Sequence, residues 1–198
     1  MKRVVVSVAV LILGLGSLTG WAMTGTEKPF VSNIDSKTGA IHVPEDYTFW
    51  PVLGTWSHAK TEGDSGIQEH HVVYTQPETI QHYQKTGEFP DGAVLVKELL
   101  NTKTMSMTTG PAVGHATTIK GWFVLIRDTK GRYASSSVWG DGWGWSFFNA
   151  ENSKKTESKD YKTDCIPCHT PARKLASKKT VDADKWIYAF GYPVLRKE

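Results

Sequence analysis

Val94-Leu95-Val96-Lys97-Glu98-Leu99-Leu100 reads as a strand with a charged pair at its centre. Successive side chains of a strand point to opposite faces. Lys97 therefore shares a face with Leu95 and Leu99, and Glu98 shares the other with Val94, Val96 and Leu100. Both faces are apolar apart from that pair, which places the strand inside a sheet covered on two sides. Two arrangements suit the lysine. It can pair with Glu98 at a sheet edge and lay its stem over apolar surface. Or its amine can point into an apolar pocket, where a lysine tends to lose its proton.

The chain around this run predicts more strand than helix. Tyr47 to Trp56 is aromatic and extended, Ile67 to Thr75 carries the β-branched pair Val72-Val73, and Trp143 to Asn149 is a further aromatic strand. Gly121 to Asp128 is expected to turn through Thr129-Lys130-Gly131 into Arg132 to Trp139 as a hairpin. Thr102 to Gly110 is polar and without pattern. One helix is clear, with Pro77 at its first position, Glu78 in its first turn, Gly87 at its end, and Ile80, Tyr83 and Gln84 facing inward. A second, short helix is expected from Cys165 to Leu175, and Pro193 argues for an edge strand or a turn within Lys185 to Leu195. The expected fold class is α+β and β-rich: a mainly antiparallel sheet with a few helices packed against it.

Cys165-Ile166-Pro167-Cys168-His169 supplies what that core would surround, and it holds the only two cysteines of the chain. C-x-x-C-H is the attachment sequence of a c-type haem. Each thiol can bond one vinyl group of the porphyrin, and the histidine can give a nitrogen to the iron. Zinc would need a second C-x-x-C or a histidine pair at zinc spacing. A thioredoxin-like redox motif would follow a strand, whereas Glu151 to Asp164 is charged and loop-like. The cofactor expected is one haem c, covalent through Cys165 and Cys168, with its iron on His169. Eight tryptophans, four of them within Trp122 to Trp145, would suit the walls of a large flat ring.

The N-terminus points to the compartment. Lys2 and Arg3 precede the apolar run Val4 to Leu18, and Gly20-Trp21-Ala22 supplies small residues where a signal peptidase reads. Residues 1–22 are expected to be a secretory signal peptide, 23–46 a loose lead-in, and 47–198 the haem domain. The apolar run is shorter than the ~20 residues that cross a bilayer, so the cleaved chain is expected in the periplasm and free of the membrane. Loss of Lys2 and Arg3 takes the formal charge from +3 to +1, and two haem propionates would take it to -1. No basic face is left to propose for nucleic acid. A soluble redox partner and a homodimer are both compatible with so balanced a surface.

The late position of the haem motif departs from small helical cytochromes, which carry it near the N-terminus. The segment Tyr83 to Gly92, followed by Val94 to Leu99, resembles the cytochrome P-460 family. So do Gly142-Trp143 with Phe147-Phe148 ahead of the motif, and Tyr192-Pro193-Val194-Leu195-Arg196 after it. The resemblance implies a β-rich domain around one haem c, with His169 as the proximal ligand and an open distal site. In the hydroxylamine-oxidising members a lysine of the V-K-E-L segment is bonded to the porphyrin edge, and Lys97 stands at that position. The resemblance thus favours a haem-facing Lys97. Those members also carry a carboxylate over the iron, where this chain has Phe123, which cannot act as a base. Phe123 as an apolar distal cap resembles the related cytochromes c-prime-beta, which bind nitric oxide. Asp128 or Glu98 is expected to be able to replace the missing carboxylate.

Three activities follow as expectations. The first is a five-coordinate haem that binds nitric oxide or a similar nitrogen oxide. The second is a hydroxylamine-oxidising enzyme with a Lys97–haem cross-link. The third is an electron carrier whose sixth ligand is Met105 or Met107. His42, His58, His70, His71, His82 and His115 read as surface or loop histidines.

Overall fold

A computed structural model of the protein describes residues 31–60 and 66–196. The expected signal peptide and the first part of the lead-in lie outside the described residues. Six strands form one antiparallel sheet: β1 (Val52–Lys60), β2 (Gly66–Thr75), β3 (Val94–Met107), β4 (Gly110–Arg127), β5 (Trp139–Gly140) and β6 (Trp143–Asn149). Their spatial order is β1-β2-β3-β4-β6-β5. Helix α1 (Pro77–Thr86) links β2 to β3, and α2 (Tyr161–Asp164) and α3 (Ile166–Leu175) follow β6.

The local sequence accounts for each boundary. Pro77 begins α1, where its missing N–H costs nothing. Gly87 ends it in the left-handed conformation, φ 79°, with its N–H on the Tyr83 carbonyl. Ile80 is buried and Tyr83 half-buried, as their spacing predicts, and Gln84 donates to the Val194 carbonyl at 2.9 Å. Asp141 and Gly142, at φ 52° and 81°, make the two-residue turn between β5 and β6, the Asp-Gly type I′ signature.

Three expectations need correction. Tyr47–Phe49 is a 3-10 turn, and the strand begins only at Val52. Thr102 to Gly110 is not patternless: β3 runs on to Met107 and pairs with the start of β4 as a long hairpin. Its side chains are polar on both faces because both are wet there. Arg132 to Trp139 does not pair with β4, whose far neighbour is β6; Asp128 instead caps the turn, accepting from the N–H groups of Lys130 and Arg132. Of the edge strand or turn expected near Pro193, the turn is found, in the 3-10 elements Ala183–Trp186, Ala189–Gly191 and Pro193–Leu195.

The sheet has a core on each face. Val94, Val96, Trp122, Val124, Ile126 and Phe148 pack against Ile41, Val43 and Tyr47. On the other face Leu53, Val73, Leu95, Trp143 and Trp145 pack against α1, the haem-motif helices and the C-terminal turns. Val94 and Val96 thus lie on one side and Leu95 and Leu99 on the other, all four buried. This is the alternation expected of that strand, and the sheet is covered on both sides.

Candidate haem site

Cys165 is the N-cap residue of α3, and Cys168 and His169 fall in its first turn. Spacings of three and four residues put all three on one side of the helix. Cys165 is buried with the core and Cys168 is exposed, and neither is in a disulfide. Burial, with Asp164 adding to it, pushes the Cys165 thiol up to about 12.

His169 is oriented by a single bond. Its Nδ1 lies 2.7 Å from the Trp186 carbonyl. A carbonyl only accepts, so Nδ1 carries the hydrogen and Nε2 keeps a free lone pair, the usual arrangement of a metal-binding imidazole. Burial pulls the ring's proton affinity below the ordinary histidine value, against the opposing Trp186 bond. The ring stands edge-on to Trp145 at 5.0 Å and beside Tyr188 at 5.7 Å, and the Tyr188 hydroxyl donates to the Cys168 carbonyl at 2.5 Å. The carbonyl of Trp186 is itself fixed from below. Asp184, in the same turn, is fully buried, accepts the Phe89 N–H at 2.9 Å and meets Arg127 Nε of β4 at 3.0 Å.

The sheet supplies the facing wall in a defined order. Trp145, Leu125 and Leu95 lie across one row of the ladder, Phe147, Phe123, Lys97 and Val73 across the next, and Leu99 and His71 across the one after. Same-face rows are about 7 Å apart. Lys97 is therefore one row beyond the tryptophan that touches His169. Phe123 is directly opposite Lys97, packs against Phe147 with ring centroids 4.8 Å apart, and has the Lys97 amine 5.5 Å from its centroid. Among the described residues Lys97 has no hydrogen bond or ion pair. Burial lowers its proton affinity, partly offset by Cys168 and Glu69.

The residues present fit a haem c. Two free thiols and an unprotonated imidazole nitrogen share one helix side, and a half-buried amine without a partner faces the same space. Such an amine is costly unless something else contacts it. The family model for Cytochrome P460 matches residues 44–188.

The chain belongs to the cytochrome P460 family. It is accordingly a haem-binding cytochrome, and its antiparallel, β-rich architecture is the one the family resemblance implied. No curated protein matches the chain.

Several expected site residues are elsewhere. Glu98 does not pair with Lys97. It points through the opposite face, where the Tyr47 hydroxyl donates to one of its oxygens and Trp122 Nε1 donates to Tyr47 at 2.9 Å. Asp128 is tied to Arg132 at 2.6 Å at the end of β4. Neither carboxylate faces Lys97. Met105 and Met107 are each 50% exposed on the hairpin arm, and Met105 is eight residues along β3 from Lys97, about 26 Å at 3.3 Å per residue. One histidine was misread. His71 is on neither a loop nor the outer face but on the Lys97 side of the sheet, on β2, with Nε2 2.9 Å from Glu69. Period-two alternation through Glu69, His71 and Val73 was the available signal, once β2 was paired with β3.

Proposed function

We propose that the chain is a periplasmic mono-haem c cytochrome whose iron has His169 as its single protein ligand and an open opposite face that takes nitric oxide or a similar small nitrogen oxide. The observation that carries this reading is the asymmetry of the site. One side offers His169 Nε2; the wall opposite offers Phe123, Phe147 and Leu99, with His71 in the Leu99 row held by Glu69, and the methionines that could close the sixth position are far along the hairpin arm. Cys165 and Cys168 would hold the ring, Lys97 would meet its edge, and Phe123 would cap the ligand space with apolar surface. Electrons would pass to a soluble partner. The test is a titration of the ferrous protein with nitric oxide, followed by absorption. The expected result is a shift that saturates at one ligand per chain. A spectrum that nitric oxide leaves unchanged would sink the proposal.

A second reading, oxidation of hydroxylamine, is favoured by Lys97. Burial makes the Lys97 amine easier to deprotonate, and a deprotonated amine is a competent nucleophile, so a bond from its nitrogen to the ring edge is chemically available. Peptide mass analysis of the haem-loaded protein decides the point: a tryptic fragment in which residue 97 is joined to the haem peptide supports the cross-link. Hydroxylamine should then reduce an acceptor dye in the presence of the protein, and an inert mixture would remove this reading.

A further inference from the structure

The strand alternation that turns Val73 toward Lys97 also turns His71 and Glu69 to the same face. His71 lies one row beyond Lys97, on the side away from the Trp145 row that holds His169. The Trp145 row and the His71 row therefore bracket Lys97, two row spacings or about 14 Å apart along the sheet. A flat ring that rests its edge on the Lys97 row and gives one face to His169 turns its other face toward His71.

His71 is built to stay neutral and in one tautomer. Its Nε2 is 2.9 Å from a Glu69 oxygen, both side chains being less than one-fifth exposed. A carboxylate only accepts, so Nε2 carries the hydrogen and Nδ1 keeps its lone pair. Nδ1 has no partner among the described residues. The second Glu69 oxygen is held by Lys120. Lys120 is the extra residue where the β3–β4 register slips, between the pairs Leu99–Gly121 and Leu100–Ile119, and this bulge lets its half-exposed amine reach across to Glu69. The charged and titratable groups around the ring are Glu69 on its own strand, His58 on β1, Lys97 on β3, and Lys120 through Glu69. Burial is the largest influence favouring the neutral ring, Lys97 and His58 add to it, and Glu69 opposes it.

We propose that His71 is the proton acceptor for a ligand bound on the open side of the iron, oriented by Glu69 and Lys120, and that it favours ligands carrying N–H or O–H hydrogens over those that carry none. This rests on the five-coordinate haem proposed above. In the step itself an N–H or O–H proton of the ligand moves to Nδ1, its bonding pair stays on the ligand, and Glu69 remains ionised beside the imidazolium so formed. The arrangement supplies, from β2, the base that Phe123 cannot be.

Hydroxylamine and nitric oxide are the discriminating probes, because only the first has hydrogens to donate. Their affinities for the haem-loaded protein are measured by absorption in wild type, His71→Phe, His71→Gln and Glu69→Gln. His71→Phe should weaken hydroxylamine about tenfold, the worth of one lost hydrogen bond in a closed site, and leave nitric oxide unchanged. His71→Gln, which keeps an acceptor, should recover part of the loss, and Glu69→Gln should fall between the two. Wild-type affinity, corrected for protonation of hydroxylamine itself, should drop as pH falls below the lowered histidine value. Equal effects on both probes, or none on hydroxylamine, would overturn the role of His71 while leaving the open haem intact. A wild type that binds neither probe overturns the open haem and this inference together. A low-spin spectrum that becomes high-spin in His71→Phe makes His71 an iron ligand and overturns both as well.

Discussion

A half-buried amine with no hydrogen-bond or ion-pair partner is costly, and replacing it with an apolar group of similar reach is cheap. Lys97→Leu should therefore fold and load haem with unchanged or slightly higher stability in chemical denaturation. What it should lose is any red-shifted Soret band and any haem-linked peptide at residue 97. A variant that fails to fold would show that Lys97 is structural. Glu98, its neighbour, should behave in the opposite way. It is buried with Tyr47 and Trp122, and burial together with Glu98 holds the Tyr47 hydroxyl protonated. Glu98→Ala should cost about 2 kcal/mol of unfolding free energy, as for a lost charge-assisted hydrogen bond in the interior, without moving the haem spectrum. At this scale the sequence was half legible. Alternation alone separated Lys97 from Glu98 by face. It could not choose what lay beyond each face, because Tyr47 is 51 residues from Glu98 in the chain. His71 was misjudged for the same reason: its face has meaning only once β2 is in register with β3.

Arg127 and Asp184 join the sheet to the turn whose carbonyl orients His169. Breaking one side of a buried ion pair strands the other charge and costs about 3 kcal/mol. Asp184→Asn should lower the urea midpoint accordingly and broaden the spectrum of the loaded protein, since Trp186 would no longer be anchored. A second ion pair gives a pH signature. Burial tends to raise the Asp91 carboxyl, but Arg132 and Thr129 outweigh it and hold the group at about 2, down from 3.8. A lowered carboxylate stabilises the fold above its unfolded value and loses that contribution as pH falls through the folded one. Wild type should thus melt higher than Asp91→Asn at neutral pH, with the gap closing as pH drops from about 4 toward about 2. A gap that persists at the acid end would count against the pair. Helix α1 and strands β2 and β6 were plain in the sequence, where Pro77, Gly87 and β-branched or aromatic runs mark them. The arm of β3 and β4 was missed because a strand wet on both faces has no hydrophobic period to read, and the Asp141-Gly142 turn was passed over although its dipeptide announces it.

The molecule as a whole is one sheet with two different covers. Its N-terminal segment and the 133–139 loop close one face with ordinary core, while the haem-motif helices and C-terminal turns close the other. The β-rich class could be reached from the sequence because strands precede a late haem motif. The layering could not, because residues 31–46 look polar and loose, yet Ile41 and Val43 are buried. The covers divide the labour: one face is ordinary core, and the other gathers His169, the Lys97 amine, His71 and an aromatic wall. That division predicts an iron held from one side only. The absorption spectrum of the ferrous, haem-loaded protein tests it most directly. A five-coordinate, high-spin spectrum that shifts on adding a small ligand is the predicted result. A sharp, low-spin, six-coordinate spectrum that resists ligand would contradict it.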